Sequence, residues 1–289
     1  MTGPEGRPHL AQPGPAPQPR VQGLPARAWP LDLVLEPGPS LLEAVARPLR
    51  RAGIAHAVLE MQGGGFGPFA YVLPAHAPDT RHAAWYSAPH APAAGAALER
   101  ATVTFGTREG APWLHCHAVW REAAGRRAGH VLPEETAIAA PVVARAWALS
   151  GAGFAVSADA ETGFTLFQPV AAEGPPAPAG AARAVVLRLR PNEDPVAALE
   201  AACHAHGIRR AVLRGGVGSL VSPRLAGLPA VPDIATEFLV TAGGVTAAGA
   251  HLAVALADMR GEVHAGEVPR GANATCITAE LVLEELPEG

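Results

Sequence analysis

The sequence contains no lysine. All 22 basic residues are arginines, set against 26 acidic ones, for a net charge of −4. Charged residues make up only 17% of the chain, and that balance excludes a strongly basic nucleic-acid surface. The missing lysine, beside abundant alanine, reads as genome composition rather than function. Cysteine is scarce: Cys116, Cys203 and Cys276 are too few for a disulfide framework in 289 residues, so a reducing compartment is expected. No stretch approaches the roughly 18 consecutive apolar residues needed to span a bilayer. The N-terminus also lacks the positive start and apolar core of a secretory signal. The expected location is cytoplasmic, with no membrane partner.

Glycine (32) and proline (30) are plentiful instead, and their placement divides the chain. Residues 1–30 hold eight prolines and almost no apolar periodicity, which predicts a disordered arm. Ala171–Ala182, reading AAEGPPAPAGAA, predicts a semi-stiff linker. The remainder forms two units, 31–170 and 183–289, each long enough to bury a core.

These units repeat one another. The first reads SLLEAVARPLRRAGIAHAVLE followed by GGFG; the second reads DPVAALEAACHAHGIRRAVLR followed by GGVG. In both, a helix-period stretch ends at a glycine suited to a helix C-terminus, Gly53 or Gly207, and leads into a short apolar strand and a glycine turn. ATVTFG (101–106) then corresponds to TEFLVTAGG (236–244), LHCHAVW (114–120) to AHLAVAL (250–256), and AGH (128–130) to AGE (265–267). Both end in apolar strands, PVVARAWAL and TCITAELVLEEL. One helix and several alternating strands per unit predict an α+β fold with a mainly antiparallel sheet. The first unit carries about 15 extra residues between Phe66 and Ala101, rich in proline, alanine and histidine, expected to loop over one end.

These motifs resemble the plant and prokaryote conserved (PPC) domain family, in two tandem copies. HGIRRAVLRGGVGS is similar to the family's helix end, strand and G-[IV]-G-[SA] turn. HLAVALADMRGEVHAGEV is similar to its H-L-H-V-S-L-x-D-x-x-G-x-V-x-G-G-H segment, and TAELVLEEL to its closing strand. The resemblance implies a fold shared with acetolactate decarboxylase, metal-binding prokaryotic members that self-associate as trimers, and plant members that bind DNA through an AT-hook. Here the arm offers only EGRPHL, a single arginine beside a glutamate, too little charge for minor-groove binding.

His115 and His117 lie two apart on a predicted strand, so both side chains share a face while Cys116 points away. His130, on the next strand, can return beside them. Three neutral imidazoles with an open fourth position are the pattern of a catalytic zinc site, and the family's three histidines fall on these positions. The competing reading of a lone His-x-His is a pair of satisfied sheet histidines. One zinc, or another divalent ion, is expected per chain. The second unit reads His251, Ala253 and Glu267 at these positions. It is expected to be metal-free, acting as a structural partner or supplying groups to a shared site.

Glu134 and Glu135 follow His130 closely enough to reach the site, where a general base beside a metal-bound water would need such a carboxylate, or are simply solvated. Arg145 takes the place of the closing-strand glutamate that the second unit keeps as Glu280, and is a candidate for binding an anionic substrate or for a structural ion pair. The glycine turns lack the P-loop lysine and the dinucleotide spacing, and read as tight turns. Three functions follow as alternatives: a metal-dependent protein acting on or binding a small carbonyl or carboxylate compound, with lyase or hydrolase chemistry by analogy; a DNA-binding protein; or a ligand-binding or assembly module without chemistry.

Overall fold

A computed structural model describes residues 6–287. The first unit runs β1 (Val21–Leu35), α1 (Leu41–Arg51), β2 (Ala57–Gln62), β3 (Gly65–Phe66), β4 (Tyr71–Val72), β5 (Pro74–Ala75), β6 (Trp85–Tyr86), β7 (Ala96–Arg108), β8 (Ala111–Glu122), β9 (Gly125–Val131), β10 (Ile138–Ala140), β11 (Val142–Ala158) and β12 (Thr165–Ala172). The second runs β13 (Ala182–Leu189), α2 (Pro195–Ala205), β14 (Ala211–Leu213), β15 (Val217–Leu220), β16 (Thr236–Thr246), β17 (Gly249–Ala257), β18 (Val263–Glu267) and β19 (Thr275–Glu285). The repeat is therefore structural. A strand precedes each helix, the helix is followed by two short strands, and a three-stranded meander leads to the long closing strand. Pairing is antiparallel except for a short parallel contact of β7 with β11, so the α+β expectation holds.

The two helices start and stop for the reasons their sequences suggest. Ser40 caps α1 by accepting from the Glu43 amide, and Asp194 caps α2 by accepting from the Ala197 amide. Gly53 and Gly207, just past the helix ends, take the left-handed φ (73° and 64°) that terminates a helix cheaply only at glycine. Helix α1 buries Leu41, Val45 and Leu49 against the sheet, and α2 buries Val196 and Leu199. Full burial of one such leucine or valine contributes about 1.5–3 kcal/mol.

The arm departs from expectation. Of the residues expected to be disordered, 21–30 are strand: β1 pairs with β11 over residues 27–35 and with β13 over residues 21–28, and so ties the two units into one sheet. Leu24, Ala26 and Ala28 pack with Trp147, Leu149, Val186 and Val282 in a core between the units. The fixed φ of Pro25 and Pro30 suits an extended chain, and burial against both units supplies what composition hid. Residues 6–20 have little regular structure but are fastened: Leu10 and Asn192 exchange hydrogen bonds at 2.9 and 3.0 Å, and Arg20 makes two 2.8 Å contacts with Glu161. Residues 1–5 lie outside the described residues. Residues 173–181 join β12 to β13 without regular structure.

A second inter-unit cluster, Val119, Ala128, Leu239, Ala255 and Ala257, brings β8 and β9 of the first unit against β16 and β17 of the second. It lies beside the histidine-bearing strands. Among the described residues, no helix is long and apolar enough to cross a membrane.

Candidate metal centre

Strand β8 presents His115 and His117 on one face and buries Cys116 in the first unit's core on the other. Strand β9 places His130 directly opposite His117. The three rings meet: centroids are 4.6 Å apart for His115–His117, 4.8 Å for His115–His130 and 5.3 Å for His117–His130. Each offers a nitrogen within 4.8 Å of the other two.

The second unit completes this site. His117 Nδ1 lies 2.7 Å from the Phe238 carbonyl oxygen on β16. A carbonyl only accepts, so Nδ1 carries the proton and Nε2 a lone pair. His115 Nδ1 lies 3.1 Å from both carboxylate oxygens of Glu280 on β19. When ionised, that carboxylate accepts from Nδ1–H and leaves Nε2 as the donor atom. The two Nε2 atoms face one another at 3.0 Å. Two lone pairs at that distance repel unless a cation, or one shared proton, lies between them. Glu237 Oε1 sits 3.6 Å from both His117 Nε2 and His130 Nδ1. His130 Nδ1 and Glu237 Oε2 are buried without a hydrogen-bond partner, a costly arrangement unless a further charged group joins them. The donor set, the tautomer fixed at His117 and the orphaned atoms all fit a divalent ion with imidazole ligands.

Electrostatics agree. Burial, then the neighbouring histidines, pushes His117 down to about 3 against the pull of Glu237, and holds His115 well below its ordinary value. Both rings are thus neutral at physiological pH. Burial raises Glu280 to about 8 although Arg188 and His130 oppose the shift; a cation beside His115 would restore its charge.

Glu134 and Glu135 line a cavity of about 310 Å³ together with His115, His130, Tyr86 and Glu280, and both are exposed at its rim. Arg145 is not at the site. It lies on the exposed face of β11, 3.8 Å from Asp32, with its guanidinium 5.9 Å from the Trp147 ring. The strand register explains the correction: Leu35 pairs with Val142 and Leu189 with Ala279. Val143, rather than Arg145, is therefore the counterpart of Glu280. His251, Ala253 and Glu267 keep the equivalent register, with Gly244 opposite His251 and Ala253 opposite Glu267, but form no ligand cluster among the described residues. His82 packs on Trp85 and Phe164, and His90 on Tyr71, away from the three ligands.

Sequence reasoning missed Glu237 and Tyr86 and gave Glu280 no part in the site. The available signal was a glutamate inside each of two apolar strands, ATEFLV and TAELVL, where an ionised group needs a partner.

The architecture is thus a duplicated α+β unit with a histidine cluster between the copies. Residues 177–287 match the model of the Plants and Prokaryotes Conserved (PCC) domain. A metal-containing protein from Archaeoglobus fulgidus is similar at 17% identity, covering 48% of this chain and 93% of that one, with a TM-score of 0.40. A plant- and prokaryote-conserved (PPC) protein from Pyrococcus horikoshii is similar at 14% identity, covering 52% and 97%, with a TM-score of 0.39. A hypothetical protein from Salmonella is 33% identical over 38% of this chain and 82% of its own, with a TM-score of 0.30. Comparison with curated proteins finds no match.

Proposed function

We propose that His115, His117 and His130 hold one divalent ion, zinc by donor chemistry, and that the site binds a small carbonyl or carboxylate compound in the adjoining cavity. The observation that carries this reading is the pair of inward-facing Nε2 atoms 3.0 Å apart, each ring held from behind by a group of the second unit. An ion bound there would act as a Lewis acid on a carbonyl oxygen or on water.

The chain's own groups do the rest. Phe238 and Glu280 orient the two imidazoles. Glu237 Oε1, facing His117 and His130, is the group placed to hold or take a proton beside the bound compound. Trp113, Phe164 and Phe167 wall the cavity and exclude water from one side. Glu134 and Glu135 add negative charge at the rim. A metal-dependent lyase or hydrolase is the matching reaction class. One ion per chain is expected, because the second unit has alanine at the position of His117.

DNA binding is the weaker reading. The net charge is −4, and the one arginine of EGRPHL, Arg7, lies 4.0 Å from Asp194.

The test is metal analysis of the purified protein beside H115A and H117A. About one zinc per chain, lost in both variants, supports the reading. A wild type that binds no divalent ion refutes it.

A further inference from the structure

The insert between β3 and β7 is the largest departure of the first unit from the second. It spans residues 67–95, against residues 221–235 between β15 and β16, and both tyrosines of the chain lie in it. Tyr71 is engaged, with its hydroxyl 3.4 Å from Glu122. Tyr86 is not: among the described residues its hydroxyl has no hydrogen-bond partner.

The insert brings Tyr86 to the histidine cluster. Strands β5 and β6 form a separate two-stranded hairpin with Pro74 opposite Tyr86. Ser87 closes it: its amide donates to the Leu73 carbonyl at 2.8 Å, and its hydroxyl accepts from the Leu73 amide at 3.0 Å. The hairpin is anchored through Trp85, whose ring stacks on Phe164 at 5.1 Å. The Tyr86 ring then lies 5.2 Å from that of His130. Two cavities adjoin the histidines: a small one of about 50 Å³ reaching His117 and Glu237, and a larger one of about 310 Å³ reaching His130 and Glu280. Tyr86 and His115 line both. The phenol therefore borders both cavities beside the histidines.

Resting on the reading of the cluster as a metal centre, we propose that Tyr86 is a catalytic residue whose hydroxyl donates a hydrogen bond to the oxygen of the carbonyl or carboxylate compound held there. A phenol with no protein acceptor is free to donate inward, and a donor fixed in place before the ligand arrives stabilises negative charge on that oxygen without reorganisation. An ordinary phenol is protonated at physiological pH and so serves as a donor. The second unit has no aromatic residue in the corresponding segment, so this donor belongs to the metal-bearing half alone.

The test uses the full chain loaded with cobalt(II), whose visible spectrum reports on the ligands of the ion, and acetohydroxamate as the probe. Metal content is measured first for wild type, Y86F and Y71F, with thermal melting as the check on folding. Y86F is expected to keep its cobalt and its melting temperature but to bind acetohydroxamate about 3- to 10-fold more weakly, the loss of one neutral hydrogen bond. Y71F is expected to bind it as wild type does. Equal affinity in Y86F and wild type overturns the assignment, as does a wild type that holds cobalt but not the probe. Loss of cobalt from Y86F also overturns it, by making the residue a support of the ligands. A wild type that takes up no cobalt fails at the first step, and identifies the metal centre as the faulty premise.

Discussion

Replacing Asp159 with alanine should destabilise the protein more than any other single loss of a polar side chain at the join between the units. Asp159 is 5% exposed and Arg188 is 0% exposed. The carboxylate accepts from Arg188 Nη1 at 2.8 Å, from Arg190 Nη1 at 2.9 Å, and from the amide and hydroxyl of Thr162 at 3.0 Å each. Removing it leaves a fully buried guanidinium without its counter-charge. Breaking a buried pair in this way costs about 3–5 kcal/mol, and a domain of this size loses roughly 2–4 °C of melting temperature per kcal/mol. A fall of roughly 10 °C in thermal unfolding followed by circular dichroism is the expected result. The double variant D159A/R188M should recover much of that loss, because the charge and its partner leave together. A fall under about 2 °C for D159A, or no recovery in the double variant, would refute the reasoning. The same pair sets an acid limit. Burial opposes ionisation of Asp159, but the Arg188 hydrogen bond and charge, with Thr162, hold it at about 2 against 3.8. A group with a depressed folded pKa stabilises above its unfolded value and loses that contribution as pH falls through the folded one. The Asp159 contribution should therefore be intact at pH 5 and disappear between about pH 4 and 2.

E280Q should weaken metal binding by about 10- to 100-fold in an equilibrium competition assay, because it removes the carboxylate behind His115 without touching a ligand. Unchanged affinity would remove Glu280 from the site. G106A should lower stability by about 1–3 kcal/mol in urea unfolding, because a Cβ there would overlap the Phe154 carbonyl and meet the Phe167 ring at 3.0 Å. A neutral result would mean that β7 and β11 separate more easily than their pairing implies.

The fold was legible where periodicity and punctuation agree. The helix-period stretches ending at Gly53 and Gly207, and the alternating strands after them, needed no tertiary information. Spacing likewise anticipated that His115, His117 and His130 converge, since strand alternation and a hairpin return are local geometry. Composition misled at residues 21–30. Proline counts describe what a chain does when left alone, and here two units offer it buried strand edges. The alignment of Arg145 with Glu280 failed because matching an apolar pattern tolerates a slip that strand pairing does not: Leu35 with Val142, and Leu189 with Ala279, set the true register. Glu237 and Glu280 reach the histidines only across the contact between units, more than 100 residues away in sequence, and no local pattern encodes that.

The central claim is that the two copies build one metal centre, with ligands from the first and supporting groups from the second. Crystals of the zinc-loaded protein, measured above and below the zinc absorption edge, test it most directly. One anomalous peak per chain is expected, bonded to His115 Nε2, His117 Nε2 and His130, with Glu237 beside it. A peak at Asp258, Glu262 and His264, the other ligand group among the described residues, or no peak at the histidines, would contradict it.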